Sequence, residues 1–172
     1  MKNSIILNIL TITIITLAAC SSINNSEEPI EVGNKAPEFT LQSVDGNQVK
    51  LSDYSGKLVL LFIFGNGWSA CRAVAPDIES ELVIPYANRN DYAVLGLDQW
   101  DGNASSVESF KRATGVSFPL LLKSSGVVAD YKTTYDRLVL IDKDGLIIFS
   151  GSQVAAADIQ TVKKKIDEQF SK

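Results

Sequence analysis

Leu58-Val59-Leu60-Leu61-Phe62-Ile63-Phe64-Gly65-Asn66-Gly67-Trp68-Ser69-Ala70-Cys71-Arg72-Ala73-Val74-Ala75-Pro76 is the stretch whose reading decides the fold. Its first seven residues are all apolar, the composition of a strand buried on both faces within a covered sheet. Gly65-Asn66-Gly67 breaks the run. Residues 70–87 follow as a helix with Val74, Ile78 and Leu82 along one face, which Pro76 is expected to kink early.

Working outward, Asp45-Gly46-Asn47 between Phe39-Thr40-Leu41 and Val49-Lys50-Leu51 predicts a hairpin upstream. Downstream, residues 92–97 read as a second buried strand. Ser105-Ser106-Val107-Glu108 fits a capping box for a helix running to about Thr114. Residues 118–122 suit a short strand and residues 127–131 a helical turn. Residues 138–141 and 146–149, around Asp142-Lys143-Asp144-Gly145, read as a β-hairpin. Ile159, Val162, Ile166 and Phe170 recur at helical spacing and mark a closing helix. Alternating strands and helices imply one central sheet covered on both faces.

The totals set bounds. A chain of 172 residues, 45% hydrophobic and 21% charged, buries an ordinary core and has room for one domain. A net charge of −4 without a basic stretch excludes nucleic acid as an expected partner. The absence of histidine removes Ser-His-Asp and Cys-His catalysis. Two cysteines, Cys20 and Cys71, exclude zinc sites built from several Cys and His ligands; carboxylates leave a hard-metal site open, but the acidic residues are scattered and show no calcium-loop spacing. No metal and no cofactor is expected.

At the N-terminus one lysine precedes an uncharged, largely apolar run over residues 4–19. It is shorter than the roughly 20 residues of a bilayer span and suits a signal-peptide core. Leu17-Ala18-Ala19-Cys20 resembles the lipobox of bacterial lipoproteins, which implies cleavage before Cys20 and acylation of its sulfur. The other readings are an ordinary cleaved signal peptide and an uncut membrane helix. The expected organisation is a signal peptide at 1–19, a lipidated Cys20 with a polar tether to residue 29, and a domain over 30–172. That predicts a cell-envelope protein held to the membrane through Cys20. Acylation of Cys20 would leave Cys71 as the single free thiol.

The chain also resembles a known family. Val32-Gly33-x-x-Ala36-Pro37-x-Phe39-Thr40-Leu41, Asp45-Gly46 and Leu51-Ser52-Asp53-Tyr54-x-Gly56-Lys57, placed ahead of the apolar strand, look like the redoxin opening. Peroxiredoxins (alkyl hydroperoxide reductase/thiol-specific antioxidant) and TlpA-type thioredoxin-like proteins share it. Cys71-Arg72-Ala73-x-x-Pro76 is similar to the segment just after the TlpA-type redox centre. Phe118-Pro119-Leu120-Leu121-Leu122 and Leu140-Ile141-Asp142-x-Asp144-Gly145 match later landmarks. The resemblance covers about residues 32–170. It implies an α/β, thioredoxin-like fold, a central mixed sheet with helices on both faces and an N-terminal hairpin extension.

At the expected site the match breaks in two places. The TlpA type carries W-C-x-x-C-R, and ungapped alignment puts Trp68 at the first cysteine and Cys71 at the second. The proline that precedes the strand ending at Asp142 is missing, with Asp136 or Arg137 in its place. A dithiol exchange needs one sulfur to attack and another to resolve, and one thiol cannot complete it alone. The peroxiredoxin template implies instead a single Cys71 near a helix N-terminus, its pKa lowered by that terminus and by Arg72 and Arg137. There Trp68 fills the place of a hydroxyl residue, and Ser69 is offset from it.

Two functions are therefore expected alternatives. In the first, Cys71 and Arg137 are catalytic, supported by Trp68, Ser69, Arg72 and Asp136. The sulfur would react with a hydroperoxide or a partner disulfide, and an external thiol reductant or envelope thiol protein would be the partner. In the second, the domain is redox-inactive and presents residues 65–70 to a partner protein. Cys71 is then a small buried apolar residue, and Trp68 either a contact or a lid. The loop 98–103 falls at the carboxyl edge of the sheet, where α/β proteins place ligands, and reads as a polar loop capped by Trp100.

Overall fold

β3 (Leu58–Phe64), every residue of which is buried, forms the centre of a five-stranded sheet. In this computed structural model, which describes residues 30–151 and 154–171, the strand order is β5-β4-β3-β6-β7. The expected signal peptide, Cys20 and the tether to residue 29 lie outside the described residues. β4 (Tyr92–Asp98) runs parallel to β3 from Leu58↔Tyr92 to Phe64↔Asp98. β5 (Leu120–Leu121) is parallel to β4, while β6 (Arg137–Ile141) and β7 (Ile147–Ser150) are antiparallel to their neighbours. The sheet is mixed, as expected.

Strand alternation divides the core in two. Leu58, Leu60, Phe62 and Phe64 face one side, where α1 (Ser69–Ile78), α2 (Ala104–Thr114) and α4 (Ala155–Phe170) bury Val74, Phe110 and Val162. Val59, Leu61 and Ile63 face the other, against α3 (Ser125–Asp130) and the N-terminal segment with Phe39 and Leu51. Each such side chain, fully buried, contributes about 1.5–3 kcal/mol. The Tyr131 hydroxyl donates to the Pro37 carbonyl at 2.8 Å and ties these last two pieces together.

The expected hairpin forms from β1 (Thr40–Gln42) and β2 (Gln48–Lys50). It covers the β5 edge, where the Leu122 N–H donates to the Gln42 carbonyl and the Val44 N–H to that of Leu120, each at 2.8 Å. An exposed sheet edge is thereby closed.

Three boundaries differ from expectation. The helix expected over 70–87 is regular only to Ile78, then passes into a π-helical segment (Glu79–Val83) and a 3-10 turn (Ile84–Tyr86). Pro76 offers no N–H, and the Glu79 N–H is shared between the carbonyls of Ala75 and Pro76. α2 is capped by Asn103, whose side chain accepts from the Ser106 N–H at 2.9 Å, and not by the box at Ser105. The strand expected over 118–122 pairs only at Leu120–Leu121.

Candidate functional site

The carboxyl ends of β3 and β4 and the start of β6 meet at one edge of the sheet, where Phe64 pairs with Asp98 and Ile63 with Arg137. The residues of interest come from three segments there: 65–72, 98–103 and 135–137.

Cys71 lies in the first turn of α1, and its residue is 0% exposed. It packs into the same cluster as Val74, Ala75 and Ile78. The Gly65 N–H donates to its sulfur at 3.4 Å. Burial pushes the thiol up to about 11; the Gly65 N–H acts against this, and the nearby Asp136 carboxylate adds to it. The expected lowering of this pKa by the helix terminus and the arginines is thus reversed. Arg72 Nε donates to the Asn66 carbonyl at 3.2 Å, and Arg137 Nη1 to the carbonyl of Asp136 at 2.9 Å. Neither guanidinium is among the groups that shift the thiol. At a pKa near 11 roughly one thiol in ten thousand is ionised at pH 7, against about 3% of free cysteine.

Of the two residues expected where the proline is missing, Asp136 directly precedes β6 and Arg137 begins it, and there is no cis peptide bond among the described residues. The φ of Asp136, 55°, lies in the left-handed region. The side chain is buried, Oδ1 has no hydrogen-bond partner among the described residues, and burial raises its carboxyl above the usual range. A buried carboxyl beside a buried thiol disfavours charge on both.

Trp68 is the N-cap of α1, with extended backbone (φ −80°, ψ 125°) and no side-chain cap bond, and it is 42% exposed. Ser69, the first helical residue, is exposed. The Trp68 ring meets Trp100 edge-on with centroids 6.2 Å apart, and Tyr135 at 5.6 Å; Trp100 and Tyr135 are also 5.6 Å apart. The three form one cluster at the surface, with Trp100 44% exposed. Trp100 lies tightly over Gly65, where a Cβ would come within 2.7 Å of the indole.

Asp98 organises both loops. Its carboxylate is fully buried and accepts from the Asn66 N–H at 3.1 Å, from Asn66 Nδ2 at 3.0 and 3.1 Å, and from the Gly102 N–H at 2.7 Å. The Trp100 N–H lies at 3.4 Å. Asp101, with φ 52°, accepts from the N–H and hydroxyl of Ser125 and anchors the same loop to α3. Sequence reasoning placed this loop at the ligand edge and gave Trp100 a capping role, but did not single out Asp98 or Tyr135. The signal for Asp98 was a lone carboxylate closing an apolar strand.

Among the described residues no cluster of three or more acidic or sulfur ligands could hold a metal, and no helix is long and apolar enough to cross a membrane.

A mixed sheet ordered this way, with a strand-turn-helix corner bearing the cysteine, defines a thioredoxin-like α/β protein. The model of the AhpC/TSA family matches residues 32–150, and the chain belongs to that family. It is 28% identical over 125 residues to the thioredoxin-like protein YneN of Bacillus subtilis, covering 72% of this chain and 73% of that one. It is 28% identical over 148 residues to the thiol-disulfide oxidoreductase ResA of Bacillus thuringiensis, covering 78% and 82%. Among solved structures, a candidate protein disulfide isomerase from Bacteroides thetaiotaomicron superposes with a TM-score of 0.75 at 29% identity, over 83% of this chain and 91% of that one.

Proposed function

We propose that this chain is a partner-binding member of the thioredoxin-fold thiol redox class, using the Trp68–Trp100–Tyr135 surface where active relatives would attack a disulfide. The observation that carries this reading is the exchange of roles at α1. An exposed tryptophan stands at the position the resemblance gives to the attacking cysteine, while the remaining sulfur is buried. Rings displayed beside a fixed carboxylate-bound loop suit contact with another protein, for aromatic side chains supply large contact area at small entropic cost. The relatives' names, thiol-disulfide oxidoreductase and protein disulfide isomerase, support a partner that is itself a thiol protein. With a lipid anchor at Cys20, the domain would meet that partner at the membrane of the cell envelope.

A second reading is favoured by the position of Cys71 in the first turn of α1 at the carboxyl edge of the sheet. Here Cys71 acts alone, with Arg137 and Arg72 in support. Its thiolate takes an oxygen from a hydroperoxide, giving sulfenic acid and an alcohol. Two external thiols then return it to the thiol, releasing water and their own disulfide. The buried sulfur would have to be uncovered first.

One experiment separates the two. In the full chain with Cys20→Ser, Cys71 is the only thiol, and its alkylation is followed across pH before exposure to hydrogen peroxide. The binding reading expects no appreciable reaction in the folded protein below pH 9 and no sulfenic acid by mass. Rapid alkylation at neutral pH with dithiothreitol-reversible oxidation would overturn it in favour of the second.

A further inference from the structure

The amino end of β3 borders a cavity that the Cys71 corner does not use. It lies where Val59 pairs with Ile141, which is roughly 17 Å back along the strand from Phe64. Its volume is about 120 Å³. Ala36, Leu51, Val59 and Ile141, all buried core residues, supply its apolar lining. The lining also includes three lysines, Lys35, Lys57 and Lys143, and three acids, Glu38, Asp142 and Asp144.

Internal bonds occupy one charge of each sign. Lys143 pairs with Asp91 at 2.7 Å, and the Asp142 carboxylate accepts from the N–H groups of Asp144 and Leu146, closing the turn between β6 and β7. Lys35 donates to the Asp144 carbonyl at 2.6 Å and lies across Gly145, where a Cβ would come within 2.8 Å of its Nζ. Its ammonium is thereby held in place, yet most of its donors stay unused. Lys57 has the Tyr54 ring, 5.8 Å away, and no ion pair among the described residues. Glu38 acts through its charge on the Tyr131 hydroxyl. Neither Glu38 nor the Asp144 carboxylate has a hydrogen bond or ion pair among the described residues. What stays open to a ligand is therefore balanced: two cations, Lys35 and Lys57, and two anions, Glu38 and Asp144.

We propose that this cavity binds a small zwitterion, its anionic group on Lys35 and Lys57 and its primary ammonium on Glu38 and Asp144. A plain anion would meet two uncompensated carboxylates, and a plain cation two ammonium groups. A molecule carrying both charges satisfies all four. The apolar lining takes the carbon atoms beside the charges, the usual division between shape and polar anchoring in a small-ligand pocket. That chemistry belongs to a free α-amino acid and equally to the phosphoethanolamine headgroup of a lipid. The cavity and the aromatic face share no residue, so either can exist without the other.

Calorimetric titration of the full chain compares alanine and phosphoethanolamine with acetate and ethylamine, which carry one charge each. One of the two zwitterions should bind at least about tenfold tighter than either single-charge probe, as expected when a second charged partner is engaged. Tighter binding of alanine assigns the site to free amino acids, and tighter binding of phosphoethanolamine assigns it to the lipid headgroup. Lys57→Gln and Glu38→Gln should each weaken that binding about tenfold, while Lys164→Gln on α4 leaves it unchanged. In 15N-labelled protein the Gly145 and Lys57 amides should shift on titration, and the Trp68 indole should not. Acetate or ethylamine binding as tightly as the zwitterions, a loss in only one of the two cavity variants, or no binding of either zwitterion would overturn the site. Each of those results would leave the reading of the aromatic face untouched.

Discussion

Restoring a cysteine at the head of α1 tests the assignment of roles most directly. Trp68 is the N-cap of that helix, its backbone already extended, and its side chain has no capping bond to lose. In a Trp68→Cys variant the new sulfur would sit at the helix N-terminus, where cysteine pKa values fall to about 3.5–7.5. At pH 7 at least about a quarter of it would be thiolate, against roughly one in ten thousand for Cys71 with its pKa near 11. The ratio is on the order of two thousand before any difference in access is counted. With Cys20→Ser as background, the alkylation rate at pH 7 should rise by about three orders of magnitude. Dithiothreitol-dependent insulin reduction should appear, since the buried Cys71 then has an exposed partner to resolve. Adding Cys71→Ser should keep the fast alkylation and abolish turnover. The reasoning is refuted if Trp68→Cys reacts no faster than Trp68→Ser, or if unmodified Cys71 already reacts at the rate of a free thiol.

Three further outcomes rest on the same geometry. Because the folded state holds the Cys71 proton up to about pH 11 against a reference of 9.0, its contribution is complete below pH 9 and lost as pH rises through 11. Chemical denaturation should therefore show the native chain losing on the order of 3 kcal/mol relative to Cys71→Ala over that window. Asp136→Asn, which tolerates the positive φ, should stabilise the protein at pH 7, with the gain shrinking as acid protonates the buried carboxyl of the parent. Asp136→Pro should instead cost at least about 1 kcal/mol, since proline cannot adopt that φ. Asp98→Ala strands the N–H groups of Asn66 and Gly102. It should cost about 2 kcal/mol or more and shift the tryptophan emission to the red; an unchanged spectrum would mean the loops stand without it.

The depth of Cys71 is legible in the sequence, and it agrees with the expectation of a small buried apolar residue. Cys71, Val74 and Ile78 stand at positions i, i+3 and i+7, so the cysteine belongs to the buried stripe of its own helix. Nearness to a helix start favours ionisation, yet the same turn aims the sulfur at the core. β3 and the β1–β2 hairpin declared themselves through an unbroken apolar run and a turn dipeptide, local signals that tertiary context did not override. The end of α1 was less legible, because a proline shows where a hydrogen bond is lost and not how the chain recovers. Asn103 outcompeted the Ser105 box because its side-chain oxygen reaches the Ser106 N–H. Tyr135 joins Trp68 and Trp100 from distant sequence, an association only the packing of β6 against β3 creates.

The carboxylate of Asp98 gives the two ligand-edge loops a common fate. Because the same two oxygens accept from Asn66 in one loop and Gly102 in the other, neither loop can drift in sequence or length without disturbing its neighbour. For protein engineering the unit of transplantation is accordingly a cassette: residues 65–68 and 98–103 move together, with the aspartate as their shared hinge pin, and a graft of either loop alone would arrive without its shape.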